Sequence, residues 1–308
     1  MTPSSDPLSP EEFRASAKQL SDWIADYLSM ASQQPVLPPV EPGHLADALP
    51  EAAPEDPEPL DRIFQDFETL ILPSVTHWNH PRFLAYFAIS GSPPGILGEM
   101  LTAALNVNAM LWRACPAATE LEQVTLRWLA QWLGLPAGWF GLIYDTASVS
   151  SLHALIAARH QAFPEARNAG NMTGLVMYCS EHAHSSIEKA AIAAGIGLNN
   201  VRKIEVDECF RMSTGALAAS IDEDLRAGKR PFCVVATIGT TPTAAVDPVP
   251  EIASLCRQHG LWLHVDAAYG GAAAVLPEMR HVLEGCHDAD SFVVNPHKWL
   301  LTPIDLSA

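Results

Sequence analysis

Residues 231–265 carry Pro231-Phe-Cys-Val-Val-Ala-Thr-Ile-Gly239, then Val249-Pro-Glu-Ile-Ala-Ser-Leu-Cys-Arg-Gln258, then Trp262-Leu-His-Val265. A short apolar run over Cys233–Ile238, a helical stretch over Val249–Gln258 and a second short apolar run over Trp262–Val265 make a strand–helix–strand unit. Runs this apolar mark strands covered on both faces, as in parallel sheets. The pattern repeats outward. Further runs lie at Leu175–Cys179, Val201–Val206 and Ser291–Val294, and helical stretches at Ser186–Ala194 and Gly215–Ala227. The body of the chain from about residue 140 is therefore an α/β domain with a mainly parallel sheet.

Ligands of such sheets sit at the carboxyl ends of the strands. The segments that follow the runs are Glu181–Ser186, Gly239-Thr-Thr241, Asp266-Ala-Ala-Tyr269 and Asn295-Pro-His-Lys298. A carboxylate, an amine, a histidine and hydroxyls thus gather at one edge. Ahead of the sheet, helical spacing predicts helices over 60–71, 94–110 and 118–133. Residues 9–30 open with Ser9-Pro-Glu-Glu12, an N-cap with acids in the first turn, and carry an apolar stripe of Phe13, Leu20, Trp23, Ile24, Tyr27 and Leu28. A lone helix on such an arm needs a surface to pack on, and a partner subunit is the natural candidate.

The chain of 308 residues is 48% hydrophobic and 17% charged, a globular composition with material for a large core. Its net charge of −17 argues against nucleic acid or anionic lipid as partners. Residues 1–60 hold 11 of the 25 prolines, and their eleven acids against Arg14 and Lys18 supply nine of those negative charges, as a solvated arm would. The six cysteines are dispersed without a CxxC pair, and no apolar run reaches 18 residues, so a cytoplasmic protein with reduced thiols and no membrane span is expected.

Each reactive residue has two local readings. Lys298 is a desolvated amine able to form a Schiff base, or a surface lysine beside Trp299. Asp266 is a partner for a protonated ring nitrogen, or the cap of the next turn. Asp145-Thr-Ala-Ser148 opens a helix, where free N–H groups bind phosphate, or where Thr146 or Ser148 acts as an ordinary N-cap. His184 stacks on a planar ring and moves protons, or joins His182 as a metal pair, for which no third ligand at suitable spacing exists.

Together these residues resemble the group II pyridoxal-phosphate-dependent amino-acid decarboxylases, nearest their aromatic-L-amino-acid branch. The likeness runs through Val40-Glu-Pro-Gly43, Pro73–Trp78, Phe83-Leu-Ala-Tyr-Phe87, Pro116–Glu122, Ala183-His-Ser-Ser186, Ala236–Thr241, His264–Gly270 and Asn295–Leu301. The resemblance implies the large domain of the fold type I transferases, with a sheet of the seven-stranded type. It implies a dimer-wrapping helical arm over residues 1–80 and a cofactor-binding domain over 81–308. It implies pyridoxal phosphate as cofactor, with Lys298 as its Schiff-base lysine and Asp266 at the ring nitrogen. His184 would stack on one ring face, Ala268 would pack on the other, and Thr240 would lie close by. Thr146, Ala147, Ser148, Asn295 and His297 would hold the phosphate. Trp78, Tyr86 and Phe87 would line an aromatic substrate pocket. No metal is called for.

Decarboxylation of an L-amino acid by a homodimer with its active site at the interface follows as the expectation. Three positions depart from the pattern around the substrate: Ile89, Asn108 and Met110. A non-aromatic substrate of the glutamate or histidine type is the alternative they leave open. Asp145 stands where a glycine is usual in the animal enzymes. His184 favours simple decarboxylation over the aldehyde-forming variants. The family continues for well over a hundred residues past its Schiff-base lysine, through a small C-terminal domain. A fragment or a truncated chain is therefore expected, with an inactive cofactor-binding or dimerising protein as a further alternative.

Overall fold

The computed structural model describes residues 8–87, 89–170 and 174–308, and it divides into two compact units, residues 1–88 and 89–308.

In the first unit α1 (Pro10–Met30) starts with a complete capping box. Glu12 N–H donates to Ser9 Oγ at 3.2 Å, and Ser9 N–H donates back to Glu12 Oε2 at 2.8 Å. Four of the six residues of its apolar stripe, Trp23, Ile24, Tyr27 and Leu28, are half-buried. Trp23 packs edge-on against Phe64 and Phe67, at 6.1 and 5.1 Å, and lies flat on Tyr27. Phe13 and Leu20, nearer the start, stay exposed. The helix expected over 60–71 is α-helical only as α3 (Leu60–Asp66), after α2 (His44–Ala48). It widens to a π turn over Phe67–Ile71 and tightens over Leu72–Ser74, where Pro73 ends it.

The second unit holds the sheet. It begins with α4 (Pro93–Leu105) and α5 (Pro116–Leu133), each with proline in its first turn. Helix α4 stops short of Met110 because Asn106 takes a left-handed cap conformation, φ +46°. Next come α6 (Ala147–Ala162) and the short α7 (Ala166–Ala169). The strands are β1 (Leu175–Ser180), β2 (Val201–Ile204), β3 (Arg230–Thr237), β4 (Trp262–Asp266) and β5 (Ser291–Val293). Between them run α8 (Ser185–Ala193), α9 (Thr214–Arg226) and α10 (Val249–His259), and α11 (Pro296–Trp299) follows β5.

The five strands are all parallel, in the order β2-β1-β3-β4-β5. Past β5, Val294 and Ala308 exchange both backbone hydrogen bonds, at 2.9 and 2.8 Å, and Ser307 bridges antiparallel to Tyr144. Two further chain segments thereby extend the ladder.

Alternation along the strands divides the core. Val176, Tyr178, Val234, Ala236, Leu263 and Val265 face a layer containing α9 and α10. Leu175, Met177, Cys179, Cys233 and Val235 face α6 and α8. Helices on both faces leave the ends of the strands as the place for a ligand.

Candidate active site

Asp266 is the last residue of β4 and lies beside Thr237, the last of β3, and Val293, the last of β5. Its side chain is 5% exposed, and its Oδ1 accepts the Ala268 N–H at 3.1 Å. This bond bends the chain over the strand end and leaves the second carboxylate oxygen for another donor. Ala268 is buried beside it.

Lys298 stands on α11, whose proline-led turn places it directly after β5. Burial lowers its pKa, and the charge of Asp266 works against that shift. Its backbone is held at both ends. Lys298 N–H donates to Asn295 O at 3.0 Å, while the Ser90 hydroxyl donates to Lys298 O at 3.3 Å. Ser90 also receives the Leu301 N–H, and Ser92 Oγ donates to Leu301 O at 2.8 Å. These two serines, some 200 residues upstream, carry no sequence signal and were not foreseen.

His184 is the N-cap of α8. Its Nδ1 accepts the Ser186 N–H at 3.2 Å and lies 2.9 Å from Ser186 Oγ. Desolvation lowers its pKa, with Lys298 and Lys189 adding to the effect and Asp266 opposing it. The ring is therefore neutral at pH 7, Nδ1 is its acceptor, and Nε2 carries the proton. His182 instead stacks on Phe210, with centroids 5.8 Å apart.

Helix α6 begins at the same edge. Thr146 occupies the N-cap position with extended backbone, but its side chain makes no cap hydrogen bond. The ordinary N-cap reading of Thr146 is thus not what the structure adopts. Ala147 and Ser148 form the first turn. Asp145 is exposed, and its Oδ1 turns back to accept the Thr146 N–H at 3.1 Å. Thr240 is fully buried at the end of β3. Its hydroxyl is engaged inside its own loop, accepting from Ala245 N–H at 3.1 Å and meeting Thr243 Oγ1 at 2.9 Å.

Asn295 and His297 are both buried. His297 Nδ1 accepts the Leu306 N–H at 2.9 Å, and burial lowers the ring's pKa, with Lys298 assisting. The neutral ring therefore bears its proton on Nε2, which faces Asn295 Nδ2 at 3.3 Å while Asn295 Oδ1 is buried without a partner. Two donors face each other and an acceptor is orphaned. Rotating the amide by half a turn lets Oδ1 accept from Nε2–H and leaves the two N–H donors in the unpartnered position. An anion satisfies donors placed so. With an uncapped helix N-terminus and a desolvated amine beside a carboxylate, these residues fit a phosphorylated pyridine aldehyde.

The foreseen substrate residues lie in the first unit. Trp78 stacks on Tyr86 with centroids 5.6 Å apart and an interplanar angle of 9°, and meets Phe83 at 4.5 Å with the rings tilted by 33°. Tyr86 is 84% exposed, with φ +57°. Phe87 is half-buried.

Residues 42–308 match the pyridoxal-dependent decarboxylase conserved domain. Over 312 residues the chain is 44% identical to the aromatic-L-amino-acid decarboxylase of Bos taurus, covering 96% of this chain and 63% of that protein. The tryptophan decarboxylase of Catharanthus roseus, solved in complex with L-tryptophan, superposes with a TM-score of 0.94 at 42% identity, over 98% of this chain and 66% of that one. The 4-hydroxyphenylacetaldehyde synthase of Rhodiola rosea superposes with a TM-score of 0.93 at 38% identity, again over 98% and 66%. The chain spans a little under two thirds of the length of these relatives.

Proposed function

Because the chain belongs to the pyridoxal-dependent decarboxylase family, we propose that it binds pyridoxal phosphate and serves an enzyme that releases CO2 from an L-amino acid, aromatic ones foremost. The observation that carries this reading is the placement of Lys298 on α11, just past the end of β5, with the buried Asp266 at the end of the neighbouring β4. When bound, pyridoxal phosphate supplies an aldehyde for an amine and a protonated ring that draws electrons from the bond to be broken.

The chain's own residues bind and orient. A lowered pKa keeps more of the Lys298 amine unprotonated near neutral pH, as a nucleophile must be. Asp266 holds the proton on the ring nitrogen. His184 covers one face, with Nε2–H as a donor toward the reacting side, and Ala268 closes the other. Thr240 shapes the loop alongside. Thr146, Ala147 and Ser148 at the start of α6, with Asn295 and His297, take the phosphate. Trp78, Tyr86 and Phe87 receive an aromatic side chain.

A homodimer, with residues 1–80 as its wrapping arm and 81–308 as the cofactor-binding domain, completes the proposal. It is supported by the exposed Phe13 and Leu20 of α1 and by Leu101, Leu105, Met110 and Trp112 in the second unit. A cytoplasmic location is supported by six cysteines without a disulfide, four of them buried. Among the described residues no helix is long and apolar enough to cross a membrane.

The test is the visible absorption of the purified chain with added pyridoxal phosphate, followed by CO2 release over a panel of amino acids. A new visible band that Lys298→Ala lacks, with CO2 released from aromatic substrates, is the expected result. CO2 released only from glutamate or histidine moves the substrate class. Aldehyde in place of amine moves the reaction toward that of an acetaldehyde synthase such as the Rhodiola protein. The absence of any band overturns the cofactor reading.

A further inference from the structure

His264 and Ser151 are 113 residues apart in the chain, and both are buried, at 1% and 0% exposure. His264 Nε2 lies 3.2 Å from Ser151 Oγ, and His264 Nδ1 lies 2.9 Å from Ser291 Oγ. Ser291 Oγ in turn accepts the Trp262 indole N–H at 2.8 Å. A polar chain, half-buried at Trp262 and Ser291 and fully buried at His264 and Ser151, thus runs from the starts of β4 and β5 to the second turn of α6. None of its members takes part in the proposed chemistry.

The buried residues of α6 are Ser150, Ser151, Leu155 and Ala158. Half of them are serines, both near its N-terminus, where hydrogen bonds add to the apolar packing of Leu152 and Leu155. Ser150 Oγ meets Ser307 Oγ at 2.8 Å, and Ser151, about 100° further round the helix, meets His264. His264 also shares a strand face with Asp266, two residues on. The strand that presents a carboxylate at one end of the site therefore grips the helix whose N-terminus forms the other end.

We propose that His264 is a positioning residue: by holding Ser151 it sets the depth and rotation of α6, and with them the grip of the site on the cofactor's phosphate. The proposal rests on reading this edge as a pyridoxal phosphate site. Burial takes the His264 pKa down to about 4, so the ring is neutral at pH 7. A neutral imidazole offers one donor and one acceptor, and so satisfies a hydroxyl on each side in either tautomer.

Pyridoxal, which keeps the ring and aldehyde but lacks the phosphate, separates positioning from general stability. Asparagine at 264 reaches only as far as Nδ1 does, keeping Ser291 and losing Ser151. Glutamine reaches the Nε2 position and restores the bond to Ser151. Affinities of the purified chain for pyridoxal phosphate and for pyridoxal are compared by absorbance titration. His264→Asn and Ser151→Ala are expected to weaken pyridoxal phosphate binding about tenfold, with pyridoxal changed by less than about twofold. His264→Gln is expected to stay within about threefold of the parent for both.

If both ligands weaken together, if neither weakens, or if glutamine does no better than asparagine, the positioning role is overturned. Ser151→Ala removes a single hydroxyl and decides the matter should the histidine variants fail to fold. A parent that binds both ligands alike, or neither, overturns the phosphate reading itself and this proposal with it.

Discussion

Asp266 opposes the effect that burial has on Lys298: desolvation at the end of β5 lowers the pKa of the amine, and the neighbouring carboxylate raises it. Asp266→Asn removes the opposing charge, so the Lys298 pKa should fall further. Reaction of the amine with an aldehyde probe, followed against pH, should show its inflection at lower pH than in the parent. The same variant should hold pyridoxal phosphate more weakly, by about tenfold or more, because a neutral amide cannot balance a protonated ring nitrogen. An unmoved inflection would mean that the two groups do not interact.

His264 and Asp247 titrate in opposite senses. Burial moves His264 from 6.5 to about 4 and Asp247 from 3.8 to about 6, against the bonds that Asp247 accepts from Met212 N–H at 2.7 Å and Thr237 N–H at 2.8 Å. Between about pH 4 and 6.5 the unfolded histidine binds a proton that the native one does not, so its contribution to stability rises with pH. Between about pH 4 and 6 native Asp247 keeps a proton that the unfolded chain has released, so its contribution falls. Each amounts to about 3 kcal/mol, and they nearly cancel. Urea midpoints should climb across this window in Asp247→Asn and decline in His264→Gln. Parallel profiles in the two variants would contradict the assignment.

Asp224 is a structural counterpart to the site. Its buried carboxylate accepts Arg202 Nε at 2.9 Å, Arg202 Nη2 at 2.8 Å and the Tyr178 hydroxyl at 3.0 Å, and Lys229 Nζ lies 3.2 Å away. Burial alone would raise its pKa, and these partners outweigh it, holding the carboxyl below its ordinary value. Asp224→Ala leaves a guanidinium and a phenol without their acceptor. It should cost about 3–5 kcal/mol in urea unfolding, while Asp224→Asn should cost less.

Gly270 closes the turn after Asp266 so tightly that an added Cβ would stand 2.6 Å from Ile238 O. Its N–H donates to that same carbonyl at 3.0 Å. Gly270→Ala must push the end of β3 away from β4, and a loss of about 1–3 kcal/mol with weaker cofactor binding is expected from thermal unfolding and titration. A variant as stable as the parent would show that this edge yields.

The short runs were enough to place the five described strands: β1, β3 and β4 are covered on both faces and mostly apolar, whereas β2 (Val201-Arg-Lys-Ile204) lies at the sheet edge and carries an exposed Lys203. The expected strand over Val201–Val206 ends at Ile204, and the others agree to within a few residues at either end. Asp266, Lys298 and His184 could be put at one edge from sequence because each directly follows a run, and chain order then decides which end of a parallel sheet it occupies. Helix ends were less legible. Asn106 stops α4 through a backbone conformation, and Phe67–Ile71 widens into a π turn, neither of which hydrophobic spacing encodes.

Chain order and apolarity by themselves determined the sheet, the edge and the chemical groups on it. Only the tertiary structure decided what holds those groups. Ser90 on the Lys298 carbonyl, Ser151 on His264 and Ser307 on Ser150 join positions 113 to 208 residues apart. Such bonds depend on strand register and on the depth of a helix against a sheet. Those are set when layers pack, and a serine at 90 or 151 looks locally like any other.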